Sequence, residues 1–563
     1  MDPTTSGPPE APKPPRERIS AKSTADPILR NALRYTISAK EYESLHKYII
    51  SRSRVLKRNA PTVTKVEKLV DRPGRDDYNA AAVRGSLRLF LATNAGLKLW
   101  SLFTERFMGA GKSGGKKVPL WKSPNFRLSL SLSSILLIHR ILFRFFARLR
   151  AHLLTPEARP FRQRNPKTSR TLTSSLAPAV GASLAGFMLA VYPSDQLRLT
   201  IAIYSLSRAA EISYNLAEAE GWIWGKEGSR WERPWWWGSW LLLFPLTCGQ
   251  LLHAFVFDRD CFPKVWTSAR FKGEDANHSK QYGDFILKNS PNYIQHRPED
   301  YPANLPWPNT YDIVDNLAEI ARLNYPPFVS PILFPNNPTL PQSLSTISPI
   351  TSPAHPLITS LTCATLHPSD PSCLRTYLTY WIQVFPRLAR VFTLILSLFS
   401  LPSYRKFYNS PISSLNALAI RILKCTLYIS GAIGTSWASI CAFQSLLPRH
   451  VLPTQRFFLG GALGGLWGFV VRKDARGQFL YSSRASMDSL WKVGKKRGWW
   501  TGIRGGDVCI FVISLMAIEM AYERNGTALR SGALRKIISG MRGEGWRDYV
   551  EEEEKRLKEE KDL

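Results

Sequence analysis

Two stretches of this chain repeat one another in order. Residues 181–191 read GASLAGFMLAV and are followed by Tyr204-Ser-Leu-Ser-Arg-Ala209; residues 460–471 read GGALGGLWGFVV and are followed by Tyr481-Ser-Ser-Arg-Ala485. A third pair extends the echo, because Arg233-Pro-Trp-Trp236 precedes one apolar run and Arg497-Gly-Trp-Trp500 precedes another. The spacing drifts as shorter loops in a second copy would make it drift. A duplicated unit centred on glycine-rich apolar stretches speaks to membrane architecture far more than to chemistry.

Mean hydropathy is only −0.16, but long polar loops mask spanning segments, so each stretch is weighed against the roughly 20 apolar residues that cross a bilayer. Hydrophobic residues make up 44% of the chain, with 18 Trp and 27 Phe, and they are unevenly spread. Helical segments are expected at 86–107, 128–146, 177–191, 197–217 and 237–257, the last kinked at Pro245. The order returns at 376–401, 415–447, 457–471, 479–493 and 508–522. The run 415–447 exceeds one span, so it is expected to tilt or to break near Gly431 and Gly434. The fold class is therefore all-α: a polytopic helical membrane protein with an internal duplication, two sets of about five helical segments.

Composition divides the chain further. Residues 1–34 form a Pro- and Ser-rich tail expected to be disordered, and 35–84 hold an amphipathic helix and linker. The first membrane repeat covers 85–257, a polar Cys- and Pro-containing connection 258–373, the second repeat 374–525, and a charged helical tail 526–563. Within the connection, 282–289 and 311–323 are expected to be ordered, since Ile313, Val314, Leu317 and Ile320 share one helical face. The tail ends in a run of glutamates and lysines expected to form a solvated helix.

The formal charge is +32, from 75 Lys and Arg against 43 Asp and Glu. In a soluble chain this would point to nucleic acid. Here the cations flank apolar runs, as at Arg159, Arg162 and Arg164 or Lys492, Lys495 and Lys496, where they favour anionic headgroups. No nucleic-acid module is visible, and membrane lipids are the expected partners. Seven cysteines lack the dense spacing of a disulfide scaffold; Cys248, Cys425, Cys441 and Cys509 lie in apolar runs, where a thiol behaves as a small hydrophobe. Insertion is expected to use internal signals.

Three motifs stand out. Ala182-x-x-x-Gly186 and Gly461-x-x-x-Gly465 each put two small residues on one helix face, which lets a neighbouring backbone approach closely. Arg208 and Arg484 hold equivalent places in the two copies and read as interfacial anchors, or as a grip on an anionic lipid or substrate. Cys363-x-x-x-His367-Pro-x-Asp370-Pro-Ser-Cys373 is the nearest approach to a site. Its spacing matches no standard zinc pattern, and zinc would need Cys261, His355 or another residue to complete a set of four; a disulfide among Cys261, Cys363 and Cys373 and a buried structural turn ahead of the next helix are the other readings, and no metal or other cofactor is assigned. Catalytic patterns are absent: there is no G-x-S-x-G elbow, P-loop, H-E-x-x-H or Rossmann glycine run. His139 and His253 stand alone within apolar helices, and no catalytic residue is assigned.

The His-Pro-x-Asp-Pro-Ser-Cys core leading into the helix from residue 374, with the stretches Arg198–Ala209 and Arg476–Ala485, resembles the transmembrane protein 135 family in a fungal form. The small-residue helices are distantly similar to those of mitochondrial Tim17-type translocase subunits and peroxisomal membrane proteins. The resemblance covers residues 85–525. The first copy departs from it, with Tyr204-Ser-Leu-Ser-Arg where the family runs through a Leu/Val-Pro step. It implies a non-enzymatic, multi-pass protein of a peroxisomal or mitochondrial membrane, concerned with lipid or metabolite handling and organelle dynamics. A translocase-like or scaffold component that binds other membrane proteins or itself is the alternative, and a membrane-embedded enzyme the third.

Overall fold

The computed structural model describes residues 34–53, 60–70, 78–107, 119–193, 196–224, 234, 239–263, 282–299, 301–302, 304–336, 340–401 and 404–562. The expected disordered tail and the Arg233-Pro-Trp-Trp236 element lie outside these residues, apart from Arg34 and Pro234. Twenty-one α-helices and no strand occur among the described residues. The helices that carry the architecture are α1 (Tyr78–Phe107), α2 (Pro124–Leu154), α3 (Ala177–Ser183), α4 (Gln196–Ala219), α5 (Ser239–Phe257), α6 (Thr310–Arg322) and α7 (Leu361–Leu366). They continue with α8 (Cys373–Ser400), α9 (Pro411–Leu446), α10 (Gln455–Gly465), α11 (Arg476–Lys496), α12 (Gly506–Arg524) and α13 (Gly532–Arg542).

The chain divides into two compact units. One draws on residues 1–99, 118–192 and 531–563, the other on 100–117 and 193–530. The boundary cuts through the stretch 85–257 that the sequence reading took as one repeat.

In the first unit α2 is the organising helix. It carries His139 and Arg140 within an apolar run, and both point at the end of α13, where helix carbonyls lack intrahelical donors. Arg140 donates through Nη2 to the Gly540 carbonyl at 2.7 Å, and His139 Nδ1 lies 3.2 Å from the Met541 carbonyl. Tyr78 donates to the Arg542 carbonyl at 2.8 Å. A cation at a helix carboxyl end gains from the dipole as well as the hydrogen bond. Gly543 ends α13 with φ +82°, and a Cβ there would fall 2.8 Å from the Tyr78 ring. The C-terminal region expected as a solvated tail is thus only partly so: α13 docks, while the exposed Glu-rich helix Tyr549–Asp562 keeps the expected character.

The second unit is built around the antiparallel pair α8 and α9. Thr376, Tyr380, Val384 and Leu388 recur every four residues along α8 and are buried, while Leu374, Leu378, Ile382, Leu394 and Leu398 on other faces are exposed. The Tyr380 ring occupies the space a side chain at Gly434 would fill, and its hydroxyl donates to the Ser430 carbonyl at 3.2 Å. The helix α9 runs unbroken through Gly431 and Gly434, so of the two expected alternatives, a tilt or a break, there is no break. Small residues there serve close packing.

The polar connection is a folded cap. Asn309 and Asp312 form a capping box that starts α6, whose Ile313, Val314, Leu317, Ile320 and Ala321 are fully buried. They share one core with Leu344, Ile347, Leu361, Tyr380 and Trp437. Trp437 Nε1 donates to Ser290 Oγ at 2.9 Å, and the Tyr293 and Tyr380 rings meet at 5.7 Å. Prolines and serines make this segment look like a loop, yet the alternation of its apolar residues supplies a core.

Helix α10 lies between α5 and α9. Its Gly461 and Gly465 face α5, where added Cβ atoms would fall 2.6 Å from the Cys248 carbonyl oxygen and 2.7 Å from Pro245 Cα; Gly460 and Gly464 face Ser439 and Ser436 of α9. Around this contact α4 packs along α12, and α5 along α11. The glycine stretches of both echoes change from α-helix to a 3₁₀ turn at matching points, Leu184–Val191 after α3 and Leu466–Val471 after α10. Three helices are long and apolar enough to cross a membrane, α2, α8 and α9, or up to four if Pro166–Thr173 and Ala177–Val191, bent by 84°, count as one span. The other segments of the two sets are too short or too polar among the described residues.

Gly461→Leu must push α5 from α10 and is expected to cost about 1–3 kcal/mol or more, seen as a lowered Tm in detergent. Gly477→Ala, at an exposed position of α11 with open space around the new Cβ, is expected to leave Tm unchanged or raise stability by about 0.5–1 kcal/mol.

Candidate functional site

The turn between α7 and α8 brings the distinctive cysteine motif together. Cys363 lies on α7, and the His367 amide closes that helix on the Cys363 carbonyl at 2.8 Å. The prolines at 368 and 371 prevent the helix from continuing. Asp370 then accepts from the Ser372 amide at 2.9 Å, and Ser372 caps α8 by accepting from the Arg375 amide at 3.3 Å. Cys373 thereby becomes the first residue of α8. The loop is held from outside too, by Gln295 donating to the Leu366 carbonyl and by the His355 amide donating to the Pro368 carbonyl, both at 2.8 Å.

A fourth group comes from α9. Cys441 places its Sγ 3.6 Å from His367 Nε2, Cys373 Sγ lies 3.5 Å from the same nitrogen, and Cys363 Sγ lies 3.8 Å from Cys373 Sγ. All four ligand atoms fall within 4.8 Å of one another. His367 is 2% exposed, and its Nδ1 lies 2.7 Å from the Asp370 carbonyl oxygen. That contact requires a proton on Nδ1 and leaves Nε2 as the ring nitrogen that faces the sulfurs of Cys373 and Cys441. Burial opposes a charged imidazole, but hydrogen bonds and charge from Cys363 and Cys373 outweigh it and raise the His367 pKa to about 10. A sulfur separation of 3.8 Å excludes a bond between Cys363 and Cys373 in this structure, since a disulfide spans about 2.05 Å. All seven cysteines are free.

The sequence reading named the segment but not its completion. Neither residue named as a fourth group lies there, since Cys261 packs with Ala254 and Val493 and His355 Nδ1 accepts from the Leu357 amide at 3.2 Å; the set is completed by another residue. Cys441, read as a small hydrophobe in an apolar run, takes that place. No periodicity marks it out, because only the pairing of α8 with α9 brings it to the turn.

A second feature lies at the α10 crossing. Where Gly461, Gly464 and Gly465 leave space, a cavity of about 320 Å³ opens between α5, α9, α10 and α11, lined by groups such as Phe244, Leu251, Phe255, Tyr428, Ile433 and Ala485. Its walls are mainly apolar, with Ser436, Ser482 and Tyr481 among them. A volume of this order with few polar groups is the usual form of a site for an apolar ligand.

The remaining candidates separate. Ala182 and Gly186 are buried in the first unit, packed with α3 and its 3₁₀ turn against α2, where Ser131 donates to the Met188 carbonyl at 3.0 Å. Gly461 and Gly465 make the backbone contact expected of them. Arg208 lies over the Tyr204 ring and pairs with Glu211 at 3.3 Å; Arg484 lies over the Tyr481 ring, 4.8 Å from its centroid. Glu211, 2% exposed, also pairs with Arg476, joining α4 to α11, and Arg198 pairs with Asp507 to join α4 to α12. Arg208 is thus a partner of a buried carboxylate as well as a tyrosine-stacked cation. Sequence reasoning missed Arg456, fully buried, which caps the end of α9 through the Leu447 and Pro448 carbonyls and stacks 4.6 Å from the centre of the Tyr325 ring. Its signal was a lone arginine just before an apolar glycine run.

Compared with family models, with curated proteins and with solved structures, the chain matches none.

If the four groups are assembled as reduced thiols and imidazole, denaturing the protein without reductant in the presence of an alkylating agent is expected to add seven labels by intact mass. A loss of two labels, mapped to Cys363 and Cys373, would indicate a disulfide instead.

Proposed function

We propose that this chain is a non-enzymatic multi-pass protein of a peroxisomal or mitochondrial membrane that handles lipid, holding one acyl chain in the cavity at the α10 crossing. The observation that carries the reading is the cavity itself. It has mainly apolar walls, and one wall is α9, a helix long and apolar enough to span a bilayer. An acyl chain that enters it gains the burial free energy of the methylenes it seats on those walls, about 0.8 kcal/mol each. A polar metabolite would lose its hydrogen bonds there.

The resemblance to the transmembrane protein 135 family supplies the organelle and the lipid context. An internal duplication is part of the same reading. It draws support from the matching α-to-3₁₀ changes after α3 and α10 and from the crossed pairing of α4 with α12 and α5 with α11. In such a repeat a site at the crossing of the two sets is the common arrangement of membrane carriers.

The test is photo-crosslinking. The purified protein in detergent is exposed to a phospholipid whose acyl chain carries a photoactivatable group. Adducts are expected on peptides containing Phe244–Phe255 and Tyr428–Trp437, and Ala485→Phe, which fills the cavity, is expected to reduce them several-fold with Tm retained. Adducts unchanged by that substitution, or found only on the outer faces of α8 and α9, would contradict the reading.

A further inference from the structure

We propose that Cys363, His367, Cys373 and Cys441 form a structural zinc site that fastens the folded cap to the root of the α8–α9 pair. Tetrahedral coordination with Zn–S near 2.3 Å and Zn–N near 2.0–2.1 Å places sulfur atoms about 3.8 Å apart and sulfur and nitrogen about 3.5 Å apart. Three of the six separations match these values, 3.8 Å between Cys363 and Cys373, 3.5 Å from Cys373 to His367 Nε2 and 3.6 Å from Cys441 to His367 Nε2, and the other three lie within 4.8 Å. Thiols packed only as small hydrophobes have no reason to converge on one imidazole nitrogen.

The surroundings fit the same assignment. A metal-bound histidine ordinarily donates its other ring proton to a carbonyl or carboxylate, which fixes the tautomer and the ring plane. His367 has the Asp370 carbonyl oxygen 2.7 Å from Nδ1, within the turn that also starts α8. Four protein ligands leave no open position for water, which marks a structural centre and not a catalytic one. Thiolate donors favour zinc over the harder divalent cations. An ion also needs a way in, and a cleft of about 560 Å³ opens onto Cys363, Cys373 and Cys441. Cys363 and His367 belong to the cap, Cys373 begins α8, and Cys441 lies near the end of α9. One ion therefore ties the turn between the cap and α8 to Cys441 on α9, which is remote from it in sequence, and its binding free energy becomes folding free energy of the second unit.

The experiment uses the full chain, purified in detergent without metal-affinity steps and dialysed against metal-free buffer. Elemental analysis is expected to find one zinc per chain. Exchange with Co(II) is expected to give the intense visible bands of a tetrahedral thiolate-rich site. Cys441→Ser is expected to lower bound zinc at least tenfold and to expose Cys363 and Cys373 to maleimide, whereas Cys261→Ser and Cys425→Ser keep the metal. If Cys441→Ser fails to accumulate, the zinc content and cobalt spectrum of the unaltered protein decide the matter. No zinc in that protein, iron in its place, octahedral cobalt bands, or zinc retained in a stable Cys441→Ser variant would each overturn the assignment.

Discussion

The close packing of α8 against α9 is the contact on which the rest of the second unit depends. It rests on one geometric fact, that Gly434 leaves room for the Tyr380 ring to lie against the α9 backbone. Lipid offers no hydrophobic drive to join apolar helices, so small residues and specific polar contacts must do it. Tyr380 does both. Its ring fills the gap and its hydroxyl reaches the Ser430 carbonyl. From that pair the structure extends in two directions. On one side α10 seats its own glycines on Ser436 and Ser439, and the cavity follows from the space they leave. On the other side, Tyr293 and Ser290 of the cap reach Tyr380 and Trp437, and the thiol–imidazole cluster forms where cap and helices meet.

A second constraint explains where the charges went. Ionisable groups in apolar helices require partners, and this chain supplies them mainly from helix ends. Arg456 closes the end of α9, while Arg140 and His139 serve the end of α13. Glu211, 2% exposed, meets both Arg208 and Arg476. The arginines that the echo drew attention to are therefore partly accounted for by tyrosine stacking and, for Arg208, by an ion pair.

Much of the helical order was legible. Apolar runs and their period located eight of the ten segments to within about four residues, because long periodic stretches declare themselves without tertiary help, whereas α1 begins eight residues earlier, at Tyr78, and α2 ends eight residues later, at Leu154. What crosses a membrane was less legible, since helices such as α4 and α11 have buried polar faces that satisfy one another in the fold and leave too little continuous apolar surface. In the cap the two ordered pieces were legible, since helices occupy Tyr282–Lys288 and Thr310–Arg322 and Ile313, Val314, Leu317 and Ile320 share one buried face, while the prolines and serines around them gave no sign of the rest of the core. At the candidate metal centre three of four groups stood within one short segment. The fourth, Cys441, looked like any small apolar residue until the pairing of α8 and α9 brought it beside His367.

The proposed lipid-handling role requires α8 and α9, both long and apolar enough to span a bilayer, to cross it as a hairpin with the cap at one end and the connection between them, near Tyr408, at the other. Single cysteines at two exposed positions, Leu357 in the cap and Tyr408 beyond α8, introduced into a chain otherwise lacking reactive thiols outside the cluster, test it in intact organelles with a membrane-impermeant maleimide. The account predicts that only one of the two positions reacts before the membrane is opened, and that the other reacts afterwards. Labelling of both positions from the same side would contradict it.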